Sequence, residues 1–279
     1  MGRAQAVSAL EVSEGLTTDL LVRFLRAEAG KFGFKRALLG LSGGVDSAVS
    51  AALAARAYGA ENVLGVMMPY RTSNPSSEAD AKVVADSLGI ATHKIDISEM
   101  ADGYLDEQVV EDRMRRGNVM ARCRMIALYD QSVEWGGLVL GTSNKTEILL
   151  GYSTQWGDSA SALNPLGDLY KHQVFQLARH LELPSVVIDK APSADLFEGQ
   201  TDEDELGFTY DEVDRLLIKM IDERFSEEEL IADGFSENFV KLVASRITAN
   251  QYKRLPPIIA KLGPRSVTHD FRYLRSWGR

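Results

Sequence analysis

An apolar run, Leu38-Leu39-Gly40-Leu41, runs straight into Ser42-Gly43-Gly44-Val45-Asp46-Ser47 and then into an alanine-rich stretch from Ala48 to Ala55. This is the pattern of a strand, a tight turn and the start of a helix. Paired glycines let the backbone approach a ligand with no Cβ in the way. The first N–H groups of the following helix, backed by its dipole, attract an anion. Ser42 and Ser47 add hydroxyl donors. A carboxylate at Asp46 is out of place beside an anion unless a cation sits there too, which points to Mg²⁺ with a polyphosphate. The Lys-Ser/Thr pair of a Walker A loop is absent. The alternative reading is a glycine turn that merely ends a strand.

The rest of the chain repeats the strand–helix alternation. Residues 17–29 read as a helix, with Leu16, Leu20 and Phe24 at helical spacing; residues 1–12 show no period. Strands are expected at 36–41, 63–68, 91–97 and 136–142, with helices at 48–58 and 76–88 and helical patterns from Ser98 onward. Val186-Val187-Ile188 is a possible fifth strand. The expectation is an α/β fold: a Rossmann-like parallel sheet of about five strands, with helices on both faces. Ligands of such sheets lie at the carboxyl ends of the strands, so the loops at Ser42 and Tyr70 should share one crevice. No repeat or linker divides the 279 residues, which read as one domain with a core at about 16–257 and a tail at 258–279.

Hydrophobic residues are 45% and charged residues 25%, ordinary for a globular protein. A net charge of −9 argues against broad nucleic-acid binding. No apolar run is long enough for a membrane span and no secretory leader is apparent, so the cytoplasm is expected. Cys123 is the only cysteine, which excludes an intrachain disulfide and a cysteine zinc site; it reads as a packing residue rather than a nucleophile.

Several positions at the expected carboxyl edge carry chemistry. Arg71 is either a phosphate contact or a solvated arginine. Glu147 is either a second Mg²⁺ ligand facing Asp46 or a first-turn helix glutamate. Lys171 sits in the first turn of a helix, where a cation opposes the dipole; it is either the partner of an external anion or a solvated lysine. The small-residue stretch 151–164, with Trp156 at its centre, reads as a loop over the site. Residues 195–205 are acidic and read as a mobile surface loop. Thr209–Glu212 and Ser226–Glu229 are capping boxes.

Ser42-Gly43-Gly44-Val45-Asp46-Ser47 resembles the PP-loop of the ATP pyrophosphatases. Further motifs narrow the resemblance. Gly117-Asn118, Ala121-Arg122 and Arg124-Met125 form one. Val139-Leu140-Gly141-Thr142 with Asn144-Lys145 and Glu147 forms a second. Gly157-Asp158, Asn164-Pro165 and Lys171 form a third. Lys190 to Leu196 and Tyr252-Lys253-Arg254 complete the set. From about Leu16 to Pro257 the chain is similar to NAD synthetases, which amidate deamido-NAD (nicotinic acid adenine dinucleotide) with ammonia through an adenylated intermediate.

The resemblance implies ATP contacts at Gly40, Leu41, Ser42, Gly43, Gly44, Val45, Asp46, Ser47, Arg71, Thr142, Lys171 and Ser193. It implies Mg²⁺ ligands at Asp46 and Glu147, and deamido-NAD contacts at Arg122, Gln155, Tyr252 and Lys253. Asp158 and Lys171 fall in catalytic positions, Asp158 as the carboxylate that handles ammonia. A homodimer is implied, with the helix around Arg122 at its interface, and free ammonia as the nitrogen source. Gln155, Ala162 and Tyr252 depart from the lysine, aspartate and histidine common there, and Ser159-Ala160-Ser161 from a glycine-rich run. A GMP-synthetase-like ligase of the same superfamily, or a nucleotide sensor without turnover, are the alternatives.

Overall fold

In the computed structural model, residues 10–192 and 202–267 are described. The sheet is built from β1 (Ala37–Gly40), β2 (Val63–Met67), β3 (Ala91–Lys94) and β4 (Leu138–Val139), in the order β3-β2-β1-β4 and parallel throughout. Around it lie α1 (Glu14–Gly30), α2 (Val45–Tyr58), α3 (Pro75–Leu88), α4 (Ser98–Glu107) and α5 (Arg113–Trp135). The later chain adds α6 (Lys145–Leu150), α7 (Lys171–His180), α8 (Ser185–Ile188), α9 (Asp202–Leu206), α10 (Tyr210–Leu217), α11 (Glu227–Ala232) and α12 (Glu237–Ala249).

The alternation of β1 explains both layers. Ala37 and Leu39 point into the main core with Ala48, Val49 and Leu53 of α2 and Val174 and Leu177 of α7. Leu38 points the other way, with Leu64, Val66 and Val139, against Leu128 and Trp135 of α5. A second large core lies outside the sheet, where Val213, Leu216 and Leu217 of α10 meet Leu230 of α11 and Val240 and Val243 of α12.

The parallel sheet and its two helical faces are as expected, with four strands among the described residues. Val186–Ile188 is not the fifth: it is helical, within α8. Three apolar residues in a row do not distinguish a strand from one helical turn, and here only Val187 is buried. The edge is extended instead by a parallel bridge between Leu140 and Leu163. The helical stretch from Ser98 is broken after Glu107, and α5 starts afresh at Asp112, whose side chain accepts the Arg115 N–H at 2.8 Å. The acidic segment 195–205 lies partly outside the described residues, but its end forms α9, and Asp202 is buried rather than exposed. Both capping boxes form as expected. The unpatterned segment 1–12 and the tail fall partly outside the described residues. Among the described residues no helix is long and apolar enough to cross a membrane.

Candidate active site

Pairing of β1 with β4 puts their carboxyl ends side by side. The turn leaving β1 is held by its own serines. Ser47 Oγ donates to the Gly44 carbonyl at 2.9 Å, and Ser42 Oγ accepts the Gly44 N–H at 3.3 Å. Gly43 takes φ +77°, and a Cβ there would lie 2.2 Å from the Ser77 carbonyl oxygen of α3, so the turn is seated on the helix that follows the Tyr70 loop. Gly44 caps α2 with no side-chain hydrogen bond. The helix start therefore keeps the open N–H groups that suit an anion.

Asp46, in the first turn of α2, faces residues from β4 and beyond. Asn144 Nδ2 donates to Asp46 Oδ1 at 2.9 Å, and Lys171 Nζ donates to Asp46 Oδ2 at 2.5 Å. The same ammonium reaches Glu147 Oε1 at 3.5 Å. Asn144 also accepts the Glu147 N–H at 3.0 Å, while Glu147 Oε2 accepts the Asn144 N–H at 3.3 Å. Glu147 thus closes the capping box of α6, as the first-turn reading expects, and turns its other oxygen to Lys171.

Lys171 is only 2% exposed, so it is not a solvated lysine, and in place of an external anion its partners here are the protein's own Asp46 and Glu147. Burial alone lowers a lysine pKa, but the Asp46 and Glu147 charges outweigh it and hold Lys171 above its ordinary value. Burial raises Glu147 well above the carboxylate range, the Asp46 charge adds to this, and Lys171 opposes it. Asp202, also raised by burial, adds a further nearby carboxylate. Its oxygens accept the Tyr152 and Tyr210 hydroxyls, each at 3.1 Å. A hard cation beside these carboxylates would favour their ionised forms. Among the described residues no cluster of three His, Cys, Asp or Glu side chains could hold a metal. Asp46 and Glu147 are hard oxygen donors of the kind that Mg²⁺ takes.

Beside this cluster lies a cavity of about 180 Å³, lined by Gly141, Ser143, Asp158, Asn164, Lys253 and Arg254 among others. Thr142 lies between two of these positions. Asp158 Oδ1 accepts the Thr154 N–H at 2.7 Å. Asp158 stays open to solvent on the cavity wall, yet the protein packed around it raises its pKa, against the pull of Thr154 and Lys253. Lys253 Nζ donates to the carbonyls of Gly151 (2.6 Å) and Ser153 (2.7 Å), closing the loop over the site. Arg122 donates to the Gln155 carbonyl at 3.3 Å, and Gln155 Nε2 to the Tyr252 carbonyl at 3.5 Å. The four expected dinucleotide contacts are therefore contiguous. Arg71 pairs with Asp102 of α4, which occupies its guanidinium at the β2 edge. Ser193 lies outside the described residues. Cys123 is buried in packing, as expected.

A family model described as NAD synthase matches residues 17–257. The chain belongs to the NAD synthase family. It is 54% identical over 273 residues to the NH(3)-dependent NAD(+) synthetase of Trichlorobacter lovleyi, covering 98% of this chain and all of that one. It is 50% identical to the Fusobacterium nucleatum enzyme of the same name, over 87% of this chain and 94% of that one. Among solved structures, NMN synthetase from Francisella tularensis superposes with TM-score 0.80 at 31% identity, covering 90% of this chain and 99% of the other. NH3-dependent NAD synthetase from Campylobacter jejuni gives 0.75 at 31% identity, over 90% and 100%. A glutamine-dependent NAD+ synthetase from Acinetobacter baumannii gives 0.69 at 30% identity, and there this chain spans half of the larger one.

Within this candidate site, the sequence left two residues without a role. Asn144 belonged to a motif but received no role, although it bonds both expected metal ligands. An Asn three residues before a Glu is a helix-cap signal that marks it. Arg254 likewise belonged to a motif without a role of its own. It holds the Leu149 carbonyl at 2.7 Å and so staples the end of α6. Ser159, in the run that departs from a glycine-rich pattern, has a structural use: its Oγ accepts the Trp156 N–H at 3.2 Å, where Trp156 adopts φ 61°. A bulky residue rarely takes that conformation unheld.

Proposed function

We propose that this chain amidates deamido-NAD with ammonia to form NAD, consuming ATP and releasing AMP and pyrophosphate. The observation that carries the reading is the buried Asp46–Lys171–Glu147 cluster at the carboxyl edge of the sheet, next to a cavity walled by Asp158 and Lys253. Near-full-length identity to ammonia-dependent synthetases supports the same reading.

A carboxylate is a poor electrophile because its leaving group would be oxide. The nicotinate oxygen attacks the ATP α-phosphorus, and the bond to the β-phosphate bridge breaks with loss of pyrophosphate. Ammonia then adds to the activated acyl carbon, loses a proton, and expels AMP. Ser42, Gly43, Gly44, Val45 and Ser47 cradle the phosphates with N–H and hydroxyl donors. Gly40 and Leu41, whose N–H donates to the Val66 carbonyl, carry that turn at the strand end. Thr142 and Ser193 join the contacts, and Arg71 does so by leaving Asp102. Lys171 stabilises charge developing on the transferring phosphate. Asp46 and Glu147 would hold Mg²⁺, which would supply neutralising charge to the polyphosphate. Arg122, Gln155, Tyr252 and Lys253 hold the dinucleotide. Asp158, with its raised pKa, accepts the proton that ammonia sheds. Residues 151–164 exclude water that would hydrolyse the adenylate.

The chain acts as one catalytic domain in the cytoplasm, where ATP is supplied, and as a homodimer joined along α5. Exposed Ile126, Tyr129 and Val133 give that helix an apolar outer face. The test is NAD formation from ATP, Mg²⁺ and deamido-NAD with either ammonium or glutamine. NAD from ammonium alone supports the reading. No NAD from either, with ATP cleaved to AMP in the presence of xanthosine monophosphate, overturns it in favour of a GMP-synthetase-like ligase. Size-exclusion chromatography with light scattering tests the dimer, and a monomer at micromolar protein overturns it.

A further inference from the structure

Lys171 is the first residue of α7. Tyr170, its N-cap, has its N–H accepted by Gln173 Oε1 at 2.9 Å but gives the helix no side-chain cap, its hydroxyl donating to Asp222 Oδ2 at 2.8 Å. The first two N–H groups are met from two other elements. The Lys171 N–H donates to Thr146 Oγ1 at 3.0 Å, and the His172 N–H donates to Asp214 Oδ2 at 2.8 Å. The Thr146 hydroxyl closes the arrangement by donating to Asp214 Oδ1 at 2.5 Å. Thr146 and Asp214 are both fully buried.

A carboxylate at Asp214 is costly, because it is sunk among Val213, Leu216 and Leu217 and ionised groups resist such surroundings. α10 does not need it, having its own capping box at Thr209 and Glu212. Its contacts run instead to the start of α7. Thr146 lies next to Glu147 on α6. The shared hydroxyl therefore ties the backbone that carries Lys171 to the helix that carries its partner carboxylate. A lysine side chain is a flexible stem, and its ammonium reaches a fixed point only if its Cα is fixed.

We propose that Thr146 and Asp214 are positioning residues for Lys171, setting its ammonium against Asp46 and Glu147. The inference rests on the reading of Lys171 as the group that stabilises the transferring phosphate. Substrate is held mainly by the glycine turn and the cavity. Loosening the start of α7 therefore costs transition-state stabilisation more than substrate binding.

The test compares kcat and KM for ATP and deamido-NAD, with saturating ammonium, in Thr146→Val, Thr146→Ser, Asp214→Asn, Lys171→Ala and the Thr146→Val/Lys171→Ala double variant. Thr146→Val should lose on the order of tenfold in kcat with KM values within about twofold. Thr146→Ser should recover most of that loss. The double variant should be no slower than Lys171→Ala, because residues acting through one another are non-additive. Full turnover in Thr146→Val, a loss confined to KM, or losses that multiply in the double variant would overturn the inference. Asp214→Asn repeats the same readings should Thr146→Val fail to fold. A Lys171→Ala protein with wild-type turnover overturns instead the role assigned to Lys171.

Discussion

At Gly43 a single hydrogen atom decides whether the turn can form. Its φ of +77°, and the mere 2.2 Å that would separate a Cβ from the Ser77 carbonyl oxygen, leave no room for a side chain. Gly44, its neighbour, is different: a Cβ there meets only Ser42 Oγ at 3.4 Å. Gly43→Ala should therefore lose at least about 1–2 kcal/mol of stability from the left-handed backbone alone, and about a hundredfold in turnover as the phosphate cradle shifts. Gly44→Ala should melt close to wild type. Thermal melts with steady-state kinetics check both, and equal losses at the two positions would contradict the account. Asn144 allows a sharper comparison. Asn144→Asp keeps an acceptor for the Glu147 N–H, so α6 retains its cap, but it replaces the donor to Asp46 by a second carboxylate. Turnover should fall by at least tenfold (roughly 1.4 kcal/mol) while far-UV circular dichroism is unchanged; wild-type turnover would show that the Asn144–Asp46 bond is idle. The glycine turn was legible in the sequence because its φ requirement is written into residue type. The role of Asn144 was less so, since its two partners lie on different elements and only one is near in sequence.

Among the elements, the strands and the two sheet faces follow from apolar alternation, and the capping boxes at Thr209 and Ser226 from residue spacing. The Val186–Ile188 turn does not, because three apolar residues suit a strand and a helical turn equally. Nor does the seat of α7, whose cap comes from Thr146 and Asp214, distant in sequence and joined only by the fold. That cap has a pH signature. Burial raises Asp214 to about 6, opposed by its bonds from Thr146 and His172. Because the folded pKa exceeds the unfolded one, the folded state binds more protons between them. Asp214's contribution is thus most favourable below the unfolded value, and is lost as pH rises through about 6. The stability of wild type minus that of Asp214→Asn should fall by roughly 2–3 kcal/mol between pH 4 and pH 7. Urea unfolding of both proteins at each pH measures it. A difference independent of pH would mean that Asp214 titrates as an ordinary carboxylate.

For the whole molecule, the expected site lies where the sheet core meets the helical core of α10–α12. Lys171 leaves a helix packed on the sheet, while its ring neighbour Tyr210 belongs to the second core, with the ammonium 4.9 Å from the ring centroid. A ligand gripping Asp46, Lys171 and Lys253 at once would therefore bind only when both cores are assembled. Cys123 reports on that assembly from a distance. It is the one cysteine, packed with Ile97, Leu105 and Met120, and burial raises its thiol pKa despite the nearby Arg124 charge. In the folded protein a thiol-disulfide reagent should react far more slowly than with the denatured chain, because the thiolate is scarce and enclosed. If the labelled state is globally opened, saturating ATP with Mg²⁺ should slow labelling further. At a ligand concentration a hundred times Kd the slowing is roughly hundredfold, following the mass-action stabilisation of about 2.7 kcal/mol. Labelling followed by absorbance, with and without nucleotide, makes the measurement. Rapid labelling untouched by nucleotide would mean that the region around α4 and α5 opens on its own, and that binding at the sheet edge does not hold the molecule together as one cooperative unit.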